Sequence, residues 1–297
     1  MGTDLTPRAF QGLGRSCETP GGGSIVPAPP SPGIERIEAR FFGDAFTPHR
    51  HDTYALGVTL DGVQRFRYRG EERHSLPGQV IALHPDELHD GGAGTEDGLR
   101  YRMLYLEPSL LLRALGDQAP LPFVRQPVLT DPSLRAALLA ALTPLEEGLD
   151  EILVADVVAA VARGLARHAG RPLKPSGRLA PRQVLLARRQ VLLARDHLAA
   201  HATRAVGAAE LEGVTGLDRY ALSRHFRALL GTSPHRFLLM RRLQRARGMI
   251  RAGESLADIA AATGFADQSH LNRHFKKAFG LTPGRWAALL GAGRPCA

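Results

Sequence analysis

The last third of the chain carries one pattern twice, and a duplication of this kind leaves few folds open. Residues 209–237 read AELEGVTGLDRYALSRHFRALLGTSPHRF, and residues 257–286 read ADIAAATGFADQSHLNRHFKKAFGLTPGRW. Arg224, Gly231, Pro234 and Phe237 recur 49 positions on as Arg273, Gly280, Pro283 and Trp286. Each copy reads as helix, turn, helix. A short helix ends at Thr215-Gly216 or Thr263-Gly264. A second helix then starts behind Asp218 or Asp267, because aspartate accepts hydrogen bonds from the free amides of a first turn. Ser255, with Asp258 three residues on, gives a capping-box-like start to the second copy. Leu217, Leu222, Phe226 and Phe265, Leu271, Phe275 fall on inward faces at helical spacing.

What the second helices expose is polar and basic. The first presents Arg219, Tyr220, Ser223, Arg224 and Arg227; the second presents Gln268, Ser269, Asn272, Arg273, Lys276 and Lys277. Arg forks onto guanine, Gln and Asn pair with adenine, and Lys or Arg in later turns neutralises phosphate. The charge distribution agrees. Residues 176–297 hold 20 Lys and Arg against 7 Asp and Glu, a net of +13, while residues 1–175 hold 18 against 22, a net of −4. Only the second half is built to meet a polyanion. Between the two units, Ser233 and Pro234 start a helix of about 18 residues, roughly 27 Å of rigid spacer. With the units at its ends, two reading helices would lie about 34 Å apart, one turn of B-DNA. Arg236, Arg241, Arg242, Arg245, Arg247 and Arg251 on the spacer read as solvated-face charges, a minority of them touching phosphate.

The first 33 residues are rich in Gly and Pro and read as a disordered tail with no secretion signal. Residues 34–108 read as short strands: Arg65 to Arg69 alternates charged and aromatic residues, and Gln79–Leu83 and Arg100–Leu106 are apolar runs between turn signals. Many short strands at close spacing argue for a small barrel or sandwich. Residues 109–170 carry two helical patterns, one opened by Asp131-Pro132 and one from about Asp150 to His168, which suit either a lid or a dimer contact. Residues 171–181 have linker composition. Residues 183–196 then repeat QVLLARR as QVLLARD, a helix whose apolar face is expected to pack on the next domain. Cys17 and Cys296 form no metal or disulfide pattern, and no stretch is apolar for long enough to span a bilayer.

The C-terminal segment GVTGLDRYALSRHFRALLGTSPHRFLLMRRLQRARGMI followed by ADIAAATGFADQSHLNRHFKKAFGLTPGRW resembles the DNA-binding domain of the AraC family of transcription regulators over about 100 residues. Carried over by position, the resemblance makes Tyr220, Ser223 and Arg224 the base-contacting set of the first reading helix, and Gln268, Ser269 and Arg273 that of the second. One departure is Glu212-Gly213 in the first scaffold helix, where an Ala-rich stretch is usual; Gly costs about 1 kcal/mol there. His49-x-His51, Pro77-Gly78, Pro85 and His89 resemble the family's cupin-type sensor domain, over roughly residues 34–108.

The resemblance implies an α+β chain of two domains: an N-terminal cupin-like β-barrel with flanking helices, and a C-terminal all-α tandem helix-turn-helix domain at 182–290. It implies an effector-responsive regulator that binds double-stranded operator DNA in the cytoplasm as a homodimer, touching RNA polymerase where it activates. His49, His51, His89, Tyr101 and Met103 are the expected effector-binding residues. The three histidines have the donor chemistry for Zn²⁺ or Fe²⁺, but the glutamate that follows the pair in metal-dependent cupins is missing, and neither metal nor cofactor is expected. No nucleophile–base constellation or phosphate-cradling loop marks an enzyme. The alternatives are a metal-dependent cupin enzyme with a helical appendage and a nucleoid-type binder without effector.

Overall fold

The computed structural model describes residues 23–116, 120–169 and 181–292. The N-terminal half is built from β1 (Gly23–Pro27), β2 (Ile34–Phe41), β3 (Asp44–His49), β4 (Tyr54–Gly62), β5 (Gln64–Tyr68), β6 (Glu71–Ser75), β7 (Val80–Leu83), β8 (His89–Ala93), β9 (Leu99–Leu106) and β10 (Val128–Leu129). They form a six-stranded sheet in the order β1-β2-β9-β4-β7-β10 and a four-stranded sheet in the order β3-β8-β5-β6. Period-two alternation sets the faces. On β5, Phe66 and Tyr68 are buried while Arg67 reaches solvent. On the six-stranded sheet, Ala55, Ile81, Tyr101 and Met103 point into the space between the sheets, and Leu56, Val58, Val80, Leu104 and Leu106 point out. That outer face is covered by α1 (Pro108–Leu115), α2 (Pro132–Leu142) and α3 (Glu151–His168). Asp131 and Asp150 cap α2 and α3 by accepting from the Leu134 and Leu153 amides. The flanking helices therefore cover a sheet.

The C-terminal half is helical: α4 (Pro181–Ala200), α5 (Ala208–Thr215), α6 (Arg219–Leu230), α7 (Pro234–Arg251), α8 (Leu256–Ala262), α9 (Gln268–Phe279) and α10 (Pro283–Ala292). Asp218, Ser233, Ser255 and Asp267 cap four of these helices through side-chain acceptors, as local sequence rules require. Gly231 and Gly280, at φ 72° and 71°, end α6 and α9 in the left-handed conformation that a Cβ disfavours. α5 runs unbroken through Gly213.

Several expectations change. The tail assigned to residues 1–33 is structured from Gly23: β1 pairs with β2 and buries Ile25, and its Pro27 is tolerated because β1 is an edge strand. Residues 1–22, with Cys17, lie outside the described residues, as do 170–180, most of the expected linker, and Cys296. The barrel does not close at residue 108, because β10 extends the sheet beyond α1. α4 packs through Ala187, Val191, Ala194 and Leu198. Its Leu185, Leu186 and Leu193 stay exposed, because they lie on the side of the helix opposite Ala187, Val191, Ala194 and Leu198.

The two halves also do not have separate cores. One apolar cluster runs from the barrel interior (Phe41, Phe66, Tyr101, Met103) into the second helical unit (Met240, Phe275, Trp286, Leu289). Another joins Leu112 of α1 to α4, α5, α6 and α7.

Candidate functional site

Two surfaces carry chemistry. The first is the paired reading helices. On α6, Arg219, Tyr220, Arg224 and Arg227 are exposed and Ser223 is half-buried. The Arg219 guanidinium lies 5.6 Å from the Tyr220 ring, and the Arg219 amide donates to Glu212 at 3.0 Å. On α9, Ser269, Arg273, Lys276 and Lys277 are exposed, and Gln268 and Asn272 are half-buried. Asn272 Oδ1 has no hydrogen-bond partner. With the barrel docked, both helices therefore keep a polar, basic face toward solvent. α7 separates the two helix-turn-helix units by the expected 18 residues.

The second is a cavity of about 380 Å³ between the barrel mouth and the helical domain. His49, His51, His89, Tyr101 and Met103 all line it. Nδ1 of each histidine donates to a backbone carbonyl: His49 to Thr47 at 2.9 Å, His51 to Thr53 at 2.9 Å and His89 to Glu87 at 3.0 Å. A carbonyl only accepts, so Nε2 is left as the bare acceptor on each neutral ring. The rings stand together, with centroids 4.3 Å apart for His49–His89 and 4.8 Å for His51–His89. Burial pushes His49 and His51 well below the ordinary imidazole value, with His89 adding to the effect, and pushes His89 itself down to about 4. The wall is neutral at physiological pH. Among the described residues, no group of His, Cys, Asp or Glu is arranged to hold a metal ion.

The opposite wall comes from residues the sequence reading did not select: Met240, Gln244, Arg247 and Arg251 of α7, Phe279 of α9 and Trp286 of α10. The spacer arginines account for the difference. Five of the six do not stand in solvent. Arg236 pairs with Asp86 at 2.6 Å and donates to the Arg50 carbonyl at 2.5 Å. Arg241 donates to Asp52 at 2.8 Å and also contacts Glu107. Arg242 donates to the Ala202, Gly264 and Arg204 carbonyls. Arg247 forks onto Glu35 and lies 4.7 Å from the Trp286 ring centre, and Arg251 reaches the same Glu35 at 3.7 Å. Only Arg245 is exposed. A signal did exist in the sequence. Met240, Gln244, Arg247 and Arg251 recur at spacings of three and four, which puts them on one face.

α9 touches the histidine wall directly. The Gly280 carbonyl accepts from the Thr47 amide at 3.1 Å and from the Thr47 hydroxyl at 2.9 Å. A Cβ at Gly280 would stand 2.7 Å from His49 Nδ1. The cap that ends α9 is thus pressed against the histidine wall.

Comparison with known proteins agrees with this division. Residues 31–158 match the AraC-like ligand binding domain, and residues 211–288 match a helix-turn-helix domain. An uncharacterized HTH-type transcriptional regulator of Bacillus subtilis, YbfI, is 27% identical over 241 residues, covering 79% of this chain and 86% of that protein. The transcriptional activator RhaS of Escherichia fergusonii is 38% identical over 72 residues, 22% of this chain and 26% of that protein. The crystal structure of ToxT from Vibrio cholerae superposes with a TM-score of 0.60 at 14% identity, covering 87% of this chain and 99% of that one.

Proposed function

Since this chain is a member of the AraC family of transcription regulators, with an effector-binding and a DNA-binding domain in one polypeptide, we propose that a small molecule in the interdomain cavity sets how α6 and α9 engage DNA. The observation that carries this reading is the cavity's double wall, barrel strands on one side and α7, α9 and α10 on the other. A ligand there contacts the element that orients DNA recognition. It shifts the DNA-binding equilibrium only by its difference in affinity between the docked arrangement and the DNA-bound one.

The reading assigns Tyr220, Ser223 and Arg224, and Gln268, Ser269 and Arg273, to base edges in successive major-groove segments. Arg219, Arg227, Asn272, Lys276 and Lys277 complete the contact surface. His49, His51, His89, Tyr101 and Met103 hold the effector on the barrel side. The regulator acts in the cytoplasm as a homodimer, and contacts RNA polymerase where it activates.

The cavity chemistry suggests the class of effector. Phe46, Phe66, Tyr101, Tyr105 and Trp286 supply an apolar, aromatic lining, and at one end Arg247 and Arg251 share the single carboxylate of Glu35. A compact apolar molecule with an acid group would replace Glu35 on Arg247. The ligands named for two ToxT structures, an unsaturated fatty acid and a naphthalenyl-butenoic acid, are of this kind.

The test starts from a DNA site selected out of a random pool with the full-length protein. Affinity for that site is then measured with and without a panel of aliphatic and aryl carboxylic acids. At least one acid should change it severalfold, and Arg247→Ala should abolish that response. Acids that bind the protein yet leave DNA affinity unchanged would sink the coupling.

A further inference from the structure

α4 buries Ala187, Val191, Ala194 and Leu198 in the core beneath it. At 3.6 residues per turn, Leu185, Leu186, Arg189, Leu192, Leu193 and Asp196 lie on the side facing away; all of these but Leu186, together with Arg188, line one shallow depression. Leu185, Leu186 and Leu193 are 42%, 55% and 43% exposed, three of nine exposed large apolar side chains among the described residues. Three within nine positions of one helix form a patch, whereas scattered single leucines would need no account. The repeat that creates this face is imperfect at one position: QVLLARR ends on Arg189, and QVLLARD ends on Asp196. Arg189 and Asp196 stand about two turns apart on the midline, with Leu185 and Leu192 on one side and Leu186 and Leu193 on the other.

We propose that this face binds a second copy of the chain, with two α4 helices antiparallel about a two-fold axis centred between Leu192 and Leu193. Two-fold contacts are self-complementary, so residue i meets residue j and j meets i. In this register Arg189 lies opposite Asp196 of the second copy, and the pairing occurs twice. Leu192 and Leu193 each meet their own counterparts at the centre. Leu185 and Leu186 meet the small, exposed Ala199 and Ala200 at the ends. The parallel alternative sets Arg189 against Arg189 and Asp196 against Asp196, so charge selects the antiparallel form. The Asp196 carboxylate already accepts from Arg195 Nε at 2.8 Å. With its side chain 62% exposed and further lone pairs free, it can take a second guanidinium.

Sedimentation velocity of the full chain across a concentration series tests the pairing. The native chain should dimerise, and Leu193→Glu and Arg189→Asp should each leave it monomeric with an unchanged circular dichroism spectrum, because both side chains are in solvent in the single chain. Arg189→Asp combined with Asp196→Arg should restore the dimer. In a Cys17→Ser, Cys296→Ser background, Leu192→Cys should cross-link to itself under mild oxidation. A native chain that stays monomeric, a dimer that survives Leu193→Glu, or a reversed pair that remains monomeric would overturn the proposal. The second of these outcomes would place the contact elsewhere, on the helices that cover the barrel for example.

Discussion

Arg241→Met removes the centre of the charged contact between spacer and barrel while keeping a long apolar stem over the Phe237 ring, whose centroid lies 4.6 Å from the guanidinium. The Asp52 side chain is only 2% exposed and Arg241 is its near countercharge. Burial already raises the Asp52 carboxyl above its ordinary 3.8, an effect that Arg241 opposes. Without Arg241, the docked state holds a buried, unpaired carboxylate, at a cost of about 3–5 kcal/mol. Protonation sets a ceiling. Neutralising a carboxyl of pKa 3.8 at pH 7 costs about 4.4 kcal/mol, and about 1.6 kcal/mol at pH 5. The expected loss is therefore about 3–4 kcal/mol at pH 7, shrinking as pH falls, because the docked carboxyl then takes up its proton more readily. The assay is urea unfolding followed by fluorescence of Trp286, the single tryptophan, which sits at the interface itself. If the domains separate before they unfold, the trace splits into two transitions. Adding Asp52→Asn should recover much of the loss, since a buried amide costs far less than a buried charge. A variant within about 1 kcal/mol of the native chain at pH 7, or no recovery by Asp52→Asn, would refute the electrostatic reasoning.

On the DNA side, Arg273→Ala should relax base preference and cost roughly 1–3 kcal/mol at a selected site, while Lys276→Ala should weaken all sequences alike and lower the salt slope by about one. Competition titrations against point-mutated sites separate the two effects, and unaltered discrimination in Arg273→Ala would refute its assignment. Stability should fall in mild acid. Burial lowers His49 and His51, and takes His84 and His89 to about 4, while unfolded imidazoles titrate near 6.5. The unfolded chain therefore binds protons that the folded chain refuses. Stability from these groups is fully present above pH 6.5 and is lost toward pH 4, at up to about 1.4 kcal/mol per pH unit for each histidine. Unfolding free energies that are equal at pH 7 and pH 5.5 would contradict this. Gly213→Ala should stabilise by about 0.5–1 kcal/mol, because Gly213 sits inside α5 and a Cβ there meets nothing within 4 Å; a lower thermal midpoint would count against a regular helix at that point.

The helical half was legible because its punctuation is local. Asp218, Ser233, Ser255 and Asp267 each bond amides two or three residues ahead, so the information lies inside the window that sequence reasoning uses. The alternation that set Tyr101 and Met103 on one side of β9 is local in the same way. The spacer arginines were misread because their partners are remote: Glu107, Asp52 and Glu35 lie 134, 189 and 212 positions from Arg241, Arg241 and Arg247. A charged side chain at helical spacing looks the same in sequence whether it faces water or a carboxylate from another domain. β1 was hidden by its Gly- and Pro-rich setting, and its place in the sheet depends on pairing with β2 and on cover from α10. β10, at two residues, is too short for any periodicity to show.

The two reading helices are not equivalent with respect to the cavity. α9 exposes Ser269, Arg273, Lys276 and Lys277 on one side, lines the cavity with Ala278 and Phe279, and ends on a glycine pressed against His49 and Thr47. α6 buries Leu222, Phe226 and Leu230 in the separate core that includes Leu112 of α1, and none of its residues lines the cavity. α7 joins the two: Arg247, which lines the cavity, pairs with Glu35, and Arg241 pairs with the cavity-lining Asp52 and Glu107. A molecule that fills the cavity therefore acts on α9 and on the seat of α7, while α6 keeps its packing. Packed interfaces of this kind have few arrangements rather than a continuum. On the proposed function, an effector there would favour one placement of the second unit relative to the first, and a changed preference for the spacing between the two DNA segments is its expected readout.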